Sequence, residues 1–531
     1  MTLLNGGSGM QAPQLVGRVA PAPRGGVALE IKERLSQELV IALVGPIASG
    51  VSSAAEFLRL ILEGDFGYDV APIMKPSDVI RTQGGLVGLT PPARQTTATY
   101  VTEMQDAGNR LRERFGNNYL IEKIVERIRT FRTTHRGYDG ENEMPGRRAY
   151  IIDSLKSMEE LNLLREIYRE TLCVIGVFAP DKLRDDRLKD LDYPEDERKK
   201  VMARDQGELK TFGQATRDLF VHSDFFVCND KRLEDLKASL SRFMDIVFDT
   251  AIHTPTRAES AMYEANAAAA NSACMSRQVG VSIVSKGGEL IAVGWNDVPK
   301  FGGSLYTEED RARHDDVAGG MVDRDHRCYN WGGGKCHNET RRNGLMDKVA
   351  IAVADTGQLK PNAKGAVRDA IGKTDIKALI EFSRSIHAEM EAILSVAREG
   401  KHSLVGATLY TNTYPCHNCA RHIVAAGITE VVYIEPYLKS LAIELHSDVI
   451  SELPDARNMV LFRQFHGVAP TNFIKLFRPK GDRKRGGKVY RTPKKESVPI
   501  FQVPLDARRE YEDKVIDDVV RKEAIPHGGG Q

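Results

Sequence analysis

"SIHAEMEAILSV", residues 385–396, and "YPCHNCARHIV", residues 414–424, carry the decisive pattern of this chain. The first sets His387 and Glu389 at the head of a run with helical apolar periodicity. The second sets Cys416 and Cys419 three apart, directly after Pro415. Residues three apart share a helix face, and proline suits the first turn of a helix. Unpaired N–H groups at a helix N-terminus also favour thiolate over thiol. One imidazole and two thiolates leave the fourth tetrahedral position open, as in a catalytic rather than a structural zinc site. Glu389 is then placed to move protons without binding the metal. The competing reading, a Cys-x-x-Cys redox pair, needs a thioredoxin-like context, and the preceding Pro and the upstream His-x-Glu point elsewhere.

Working outward, "ATLYTN" and "EVVYIEP" read as strands between these helices. Upstream, "QVGVSIVSKGGELIAVGWN" (278–296) is two alternating runs around a Lys-Gly-Gly turn, a hairpin signal. An Ala-rich helix precedes it. Between hairpin and motif, residues 297–377 are polar, glycine-rich and irregular, as a functional insertion or lid would be. Within it, "DHRCYNWGGGKCHNE" (325–339) offers Cys328, Cys336 and His337 as donors for a second, structural zinc, with free surface cysteines as the alternative. The expected organisation is a leader over 1–29, a front domain over 30–251, a second domain over 252–477, and a basic tail with a C-terminal helix over 478–531. The stretch from Arg478 to Lys495 holds nine Lys or Arg against a single Asp482.

In the front part, "ELVIALVG", "RRAYIID", "LCVIGVFAP" and "SDFFVCND" are short apolar runs separated by helical segments, which predicts a parallel α/β sheet. "GPIASGVSS" (45–53) follows the first strand with the glycine spacing of a phosphate-binding loop, Gly45 to Gly50, then Ser52. Such a loop cradles phosphates on backbone N–H groups, and its Ser holds Mg2+. Gly45, Ser49, Gly50, Val51 and Ser52, with Asp153 at the end of a strand, form the candidate site for a nucleoside triphosphate with Mg2+. Val51 stands where the motif has Lys, the residue that reaches the β- and γ-phosphates. The expectation is therefore nucleotide binding without phosphoryl transfer.

The seven cysteines in 531 residues are no disulfide framework and suit a reducing, cytoplasmic setting. Lys plus Arg is 74 and Asp plus Glu 73, so net charge argues neither for nor against nucleic acid. No apolar run reaches the ~20 residues that cross a bilayer. The glycine- and proline-rich N-terminus has no secretion-signal pattern.

His-x-Glu followed by Pro-Cys-x-x-Cys is the signature of zinc nucleobase deaminases. "NSACMSRQVGVSIVSKGGELIAVGWND", "SIHAEMEAIL", "TLYTNTYPCHNCARHIVAAGITEVVYIEPY" and "KSLAIELHSD" resemble deoxycytidylate-type deaminases in order. The likeness extends over most of 258–475. With the phosphate-loop domain in front, where "MQDAGNRLRERFG" and "ERKKVMARDQ" look like pieces of nucleoside-monophosphate kinases, the whole chain resembles bacterial anti-phage dCTP deaminases.

That resemblance implies a P-loop NTPase-like α/β domain followed by a cytidine deaminase-like α/β/α domain. It implies Zn2+ on His387, Cys416 and Cys419, with Glu389 as the proton carrier. Asn296 would contact sugar or base, and Tyr433, Tyr437 and Lys439 would line the pocket and reach phosphate. The implied partners are free deoxycytidine nucleotides, dCTP and also dCMP, an inhibitory RNA, and further copies of the chain in a homo-oligomer. Housekeeping dCMP deamination and cytosine deamination in nucleic acid are the alternative activities. Editors of strands stack the base on aromatics, and the basic tail has few.

Overall fold

The computed structural model describes residues 32–90, 92, 97–135, 137–139, 142–206, 216–315, 317, 319–358, 360, 362–436 and 440–524. The leader expected over 1–29 lies outside them.

Two six-stranded sheets organise the chain. In the front sheet the spatial order is Gly467–Val468, Phe225–Cys228, Leu172–Phe178, Leu39–Val44, Arg148–Ile152 and Asp69–Val70. All neighbours are parallel except Gly467–Val468. Every residue of Leu39–Val44 and of Arg148–Ile152 is buried, as in a sheet covered by helices on both faces. The second sheet runs Ile450–Ser451, Val460–Gln464, Glu430–Glu435, Thr408–Thr413, Gly280–Val284 and Leu290–Trp295. Its first four strands are parallel and its last two form the antiparallel hairpin. The chain is thus an α/β protein with mostly parallel sheets.

The halves are sewn together rather than strung on a linker. Gly467–Val468 leaves the second sheet and closes the edge of the front one beside Phe225 and Phe226. The Val468 N–H donates to Glu259 at 2.9 Å, and Glu259 also pairs with Arg242 of the Leu233–Val247 helix at 2.8 Å. Further on, helix Leu505–Ala524 docks on the front half, where Arg508 meets Glu38 at 2.6 Å and Arg132 meets Glu512 at 2.6 Å, all four fully buried. Division of the sequence at residue 251 foretells neither contact.

The insertion is less irregular than its composition suggests. It contains a hairpin, Arg313–Asp315 with Gly320–Val322, and a 19-residue helix, His337–Asp355. Only Met346 and Ala350 of that helix are buried, so it shows no apolar stripe for sequence periodicity to detect.

Candidate active site

Two helix N-termini converge on the second sheet. His387 is the N-cap residue of helix Ala388–Glu399, and Cys416 that of helix His417–Ala425. The first helix lies so close to strand Leu290–Trp295 that a Cβ on Gly294 would sit 2.6 Å from the Ala388 carbonyl and 2.7 Å from the Ala392 nitrogen. Glycine at 294 therefore sets the position of His387. The second helix starts where strand Thr408–Thr413 ends, and the Cys419 N–H donates to the Cys416 sulfur at 3.5 Å.

His387 Nδ1 stands 3.4 Å from Cys416 Sγ and 3.3 Å from Cys419 Sγ, and the three donor atoms lie within 4.8 Å of one another. Tetrahedral zinc, with bonds of about 2.3 Å to sulfur and 2.0–2.1 Å to nitrogen, gives N···S edges of roughly 3.5 Å. The donor set and its spacing fit zinc in number, chemistry and size. Cys416 is held down to about 4 by its hydrogen bond with Cys419 and by His387, which its bond to Cys416 in turn pushes up to about 9. Glu389, also buried, has its carboxyl pushed up by burial and by the charge of Cys416.

A cavity of about 300 Å³ opens over His387, Glu389 and Cys416. Asn296 lines it, but both ends of its amide hold backbone: Nδ2 donates to the Arg277 carbonyl at 2.8 Å, and Oδ1 accepts from the Val279 N–H at 2.7 Å. Tyr433, expected at the pocket wall, is corrected by the structure. It packs in the core against Tyr414, ring centroids 4.7 Å apart, because its strand turns that side chain inward. Tyr437 and Lys439 lie outside the described residues. Cys328, Cys336 and His337 all line this cavity, yet among the described residues the zinc triangle is the one group of three or more His, Cys, Asp or Glu close enough to share an ion. A second metal centre is not assembled there.

Sequence reasoning missed the cations. Arg277, Arg342 and Arg384 line the same cavity. Arg384 lies 4.1 Å over the Trp331 ring and donates to the His326 carbonyl at 3.1 Å, so the insertion holds it in place. Arg277 pairs with Glu435 at 2.7 Å. Asp297 was missed as well: it accepts from the Ala273 and Val298 N–H groups at 2.8 Å each, pinning the loop that brings Arg277 in. Adjacency of Arg384 to the His387 motif was the one available signal.

Residues 255–435 match the family described as the cytidine and deoxycytidylate deaminase zinc-binding region. Deoxycytidylate deaminase of Enterobacteria phage T4 is 30% identical over 172 residues, 32% of this chain and 72% of that protein. The chain belongs to the deoxycytidylate deaminase family. The corresponding enzyme of Enterobacteria phage T2 is 30% identical over 173 residues, 32% of this chain and 74% of its own. The crystal structure of dCMP deaminase from cyanophage S-TIM5 aligns with 40% of this chain and 100% of its own, at 16% identity and a TM-score of 0.22. As a deoxycytidylate deaminase family member, the protein is a zinc-dependent hydrolytic deaminase of cytidine nucleotides. No helix among its described residues is long and apolar enough to cross a membrane.

At the front sheet, the loop from Gly45 to Gly50 leads from strand Leu39–Val44 into helix Val51–Gly64. Gly50 has φ of 97°, and a Cβ there would collide with the Asn229 amide, which donates to the Ser49 carbonyl at 2.9 Å. Only glycine serves at this corner. Ser52 Oγ donates to Asp153 at 2.7 Å. Gly45, Gly50, Val51, Ser52 and Asp153 line a cavity of about 450 Å³, with Ser49 buried in the loop behind them.

Proposed function

We propose that the protein deaminates free deoxycytidine nucleotides, dCTP to dUTP and also dCMP to dUMP, and that it drains the dCTP pool in anti-phage defence in the cytoplasm. The observation that carries the substrate reading is the coexistence, in one 300 Å³ cavity, of the His387–Cys416 edge, Glu389 and three arginines. A phosphate chain in this cavity would meet three guanidinium groups as charge-assisted partners, which a nucleoside without phosphate would not use.

In this reading His387 Nδ1 and the two thiolates hold the metal. When bound, zinc supplies a Lewis acid that makes water nucleophilic near neutral pH. Glu389 accepts a proton from that water as oxygen adds to the amine-bearing ring carbon. It delivers the proton to the ring nitrogen, then helps protonate the departing amine so that ammonia leaves. A carboxyl whose pKa is pushed up by burial both accepts and returns a proton. Asn296 contacts sugar or base after releasing one of its backbone bonds, and Lys439 and Tyr437 complete the phosphate end.

The front unit, taken as 30–251, binds a nucleoside triphosphate with Mg2+ and regulates the deaminase of 252–477 without transferring a phosphoryl group, since Val51 replaces lysine. The 478–531 tail, an inhibitory RNA and self-association belong to the same control. Housekeeping dCMP deamination is the second reading, because the phage relatives are named for dCMP chemistry.

The test is a panel of dCTP, dCMP, CTP and cytosine-containing single strands, with ammonia release followed for each. The proposal expects dCTP, with or without dCMP, to be the efficient substrate. Turnover of dCMP alone favours the housekeeping reading, and turnover confined to strands overturns both.

A further inference from the structure

A lysine from outside the front loop lies beside it. Lys75 follows Met74, whose N–H donates to the Ile151 carbonyl at 2.9 Å and whose carbonyl accepts from the Asp153 N–H at 2.8 Å. That bridge fixes the start of helix Pro76–Gln83 beside the Gly45–Ser52 loop. The ammonium of Lys75 lies 2.7 Å from Asp153 Oδ2 and 3.4 Å from Ser52 Oγ. It thus sits on two groups that line the cavity beside the loop.

Basic side chains outnumber acidic ones along the cavity wall, although Lys75, Arg81 and Arg112 each pair with an acid. Lys75, Arg81, Arg112 and Lys156 line it with the acids Asp78 and Asp153. No side chain caps helix Val51–Gly64, so its first N–H groups face the loop unclaimed by a cap. Arg112 is 2% exposed, and its Nε has no hydrogen-bond partner among the described residues, although its other nitrogens reach Glu160 and Asn109. An anion in this cavity would meet the Lys75 ammonium and the uncapped helix N-terminus. Val51, apolar and 8% exposed, adds nothing to them.

We propose that Lys75 is the phosphate-contacting cation of this cavity, supplied from the start of the Pro76–Gln83 helix in place of the lysine absent at Val51, and that the ligand is a polyphosphate chain. The inference rests on the reading of the front cavity as a nucleotide site. A four-carbon stem lets the ammonium move from Asp153 to a phosphate oxygen without a backbone change.

The experiment titrates the full-length, zinc-loaded protein with ATP and with inorganic tripolyphosphate in the presence of Mg2+. Lys75→Gln is the informative variant, because an amide still hydrogen-bonds Asp153 and Ser52 but carries no charge. Wild type should bind both probes. Lys75→Gln should bind each at least about tenfold more weakly, with an unchanged melting temperature. Equal binding by the two proteins overturns the role of Lys75 and leaves the nucleotide site standing. A loss accompanied by a fall in melting temperature assigns Lys75 to holding Asp153 and also overturns it. Failure of wild type to bind either probe overturns the inference and the nucleotide-site reading together.

Discussion

Cys416 does two jobs at once: its sulfur caps helix His417–Ala425 by accepting from the Cys419 N–H, and it stands beside Cys419 Sγ and His387 as a metal donor. Serine at 416 keeps the cap chemistry, and serine at either 416 or 419 weakens the metal bond. Cys416→Ser and Cys419→Ser should therefore lose zinc, read as metal per chain, while the wild type holds at least one. Glu389→Gln should keep zinc and fold yet lose about 10²–10⁴-fold in turnover. A variant within a few-fold of wild type would move the proton work to another group. Arg384→Ala should raise KM for dCTP and dCMP by about tenfold, more than it lowers kcat, and leave weak deamination of the unphosphorylated nucleoside unchanged. The convergence of His387, Cys416 and Cys419 was legible in the sequence because the donors sit in two short local motifs. The arginines were not, because a lone arginine carries no spacing, and only the fold brings 277, 342 and 384 to one wall. Tyr433 was misread because an aromatic at a strand end gives no sign of which face it occupies.

At the scale of elements, the close approach of helix Ala388–Glu399 to strand Leu290–Trp295 makes Gly294 a positioning residue. Gly294→Val should push that helix away, weakening zinc binding and turnover together even though residue 294 touches neither metal nor substrate. The docked helix Leu505–Ala524 rests on a buried charge network. Arg508 faces Glu38 and Glu143, Arg132 faces Glu38 and Glu512, and Arg148 reaches Glu38 at 2.7 Å. Arg508→Met leaves buried carboxylates short of a partner and should cost about 3–5 kcal/mol, measured by denaturant unfolding. Burial raises the pKa of Glu38, but Arg508, Arg132 and Arg148 outweigh it and hold the carboxyl at about 2. The folded value lies below the ordinary 4.5, so the stabilisation is present above pH 4.5 and is lost as pH falls toward 2. The gap in melting temperature between wild type and Glu38→Gln should narrow across that window. Apolar runs foretold the central strands correctly. The two-residue strand Gly467–Val468 and the polar insertion helix were hidden, because one is too short for a period and the other buries almost nothing.

At the scale of the molecule, the two halves share a sheet edge, where Gly467–Val468 pairs with Phe225 and Phe226. Arg184 donates to the Ile47 carbonyl of the loop at 2.8 Å and pairs with Asp181 at 2.8 Å. Burial, and then the charge of Asp181, pushes Glu452 up to about 7, and Glu452 hydrogen-bonds Tyr414, which lines the deaminase cavity two residues before Cys416. Gly50→Val, which fills the loop against Asn229, should change the response of deamination to added ATP without removing zinc. The central claim, that the chain hydrolyses the amine from free deoxycytidine nucleotides through the His387–Cys416–Cys419 centre and Glu389, is tested most directly by product analysis in ¹⁸O water. Zinc-loaded wild type given dCTP or dCMP should yield the uracil nucleotide with one ¹⁸O and one ammonia per turnover, and Glu389→Gln with full zinc should yield neither at a comparable rate. Absence of labelled uracil nucleotide from the zinc-loaded wild type would contradict the account.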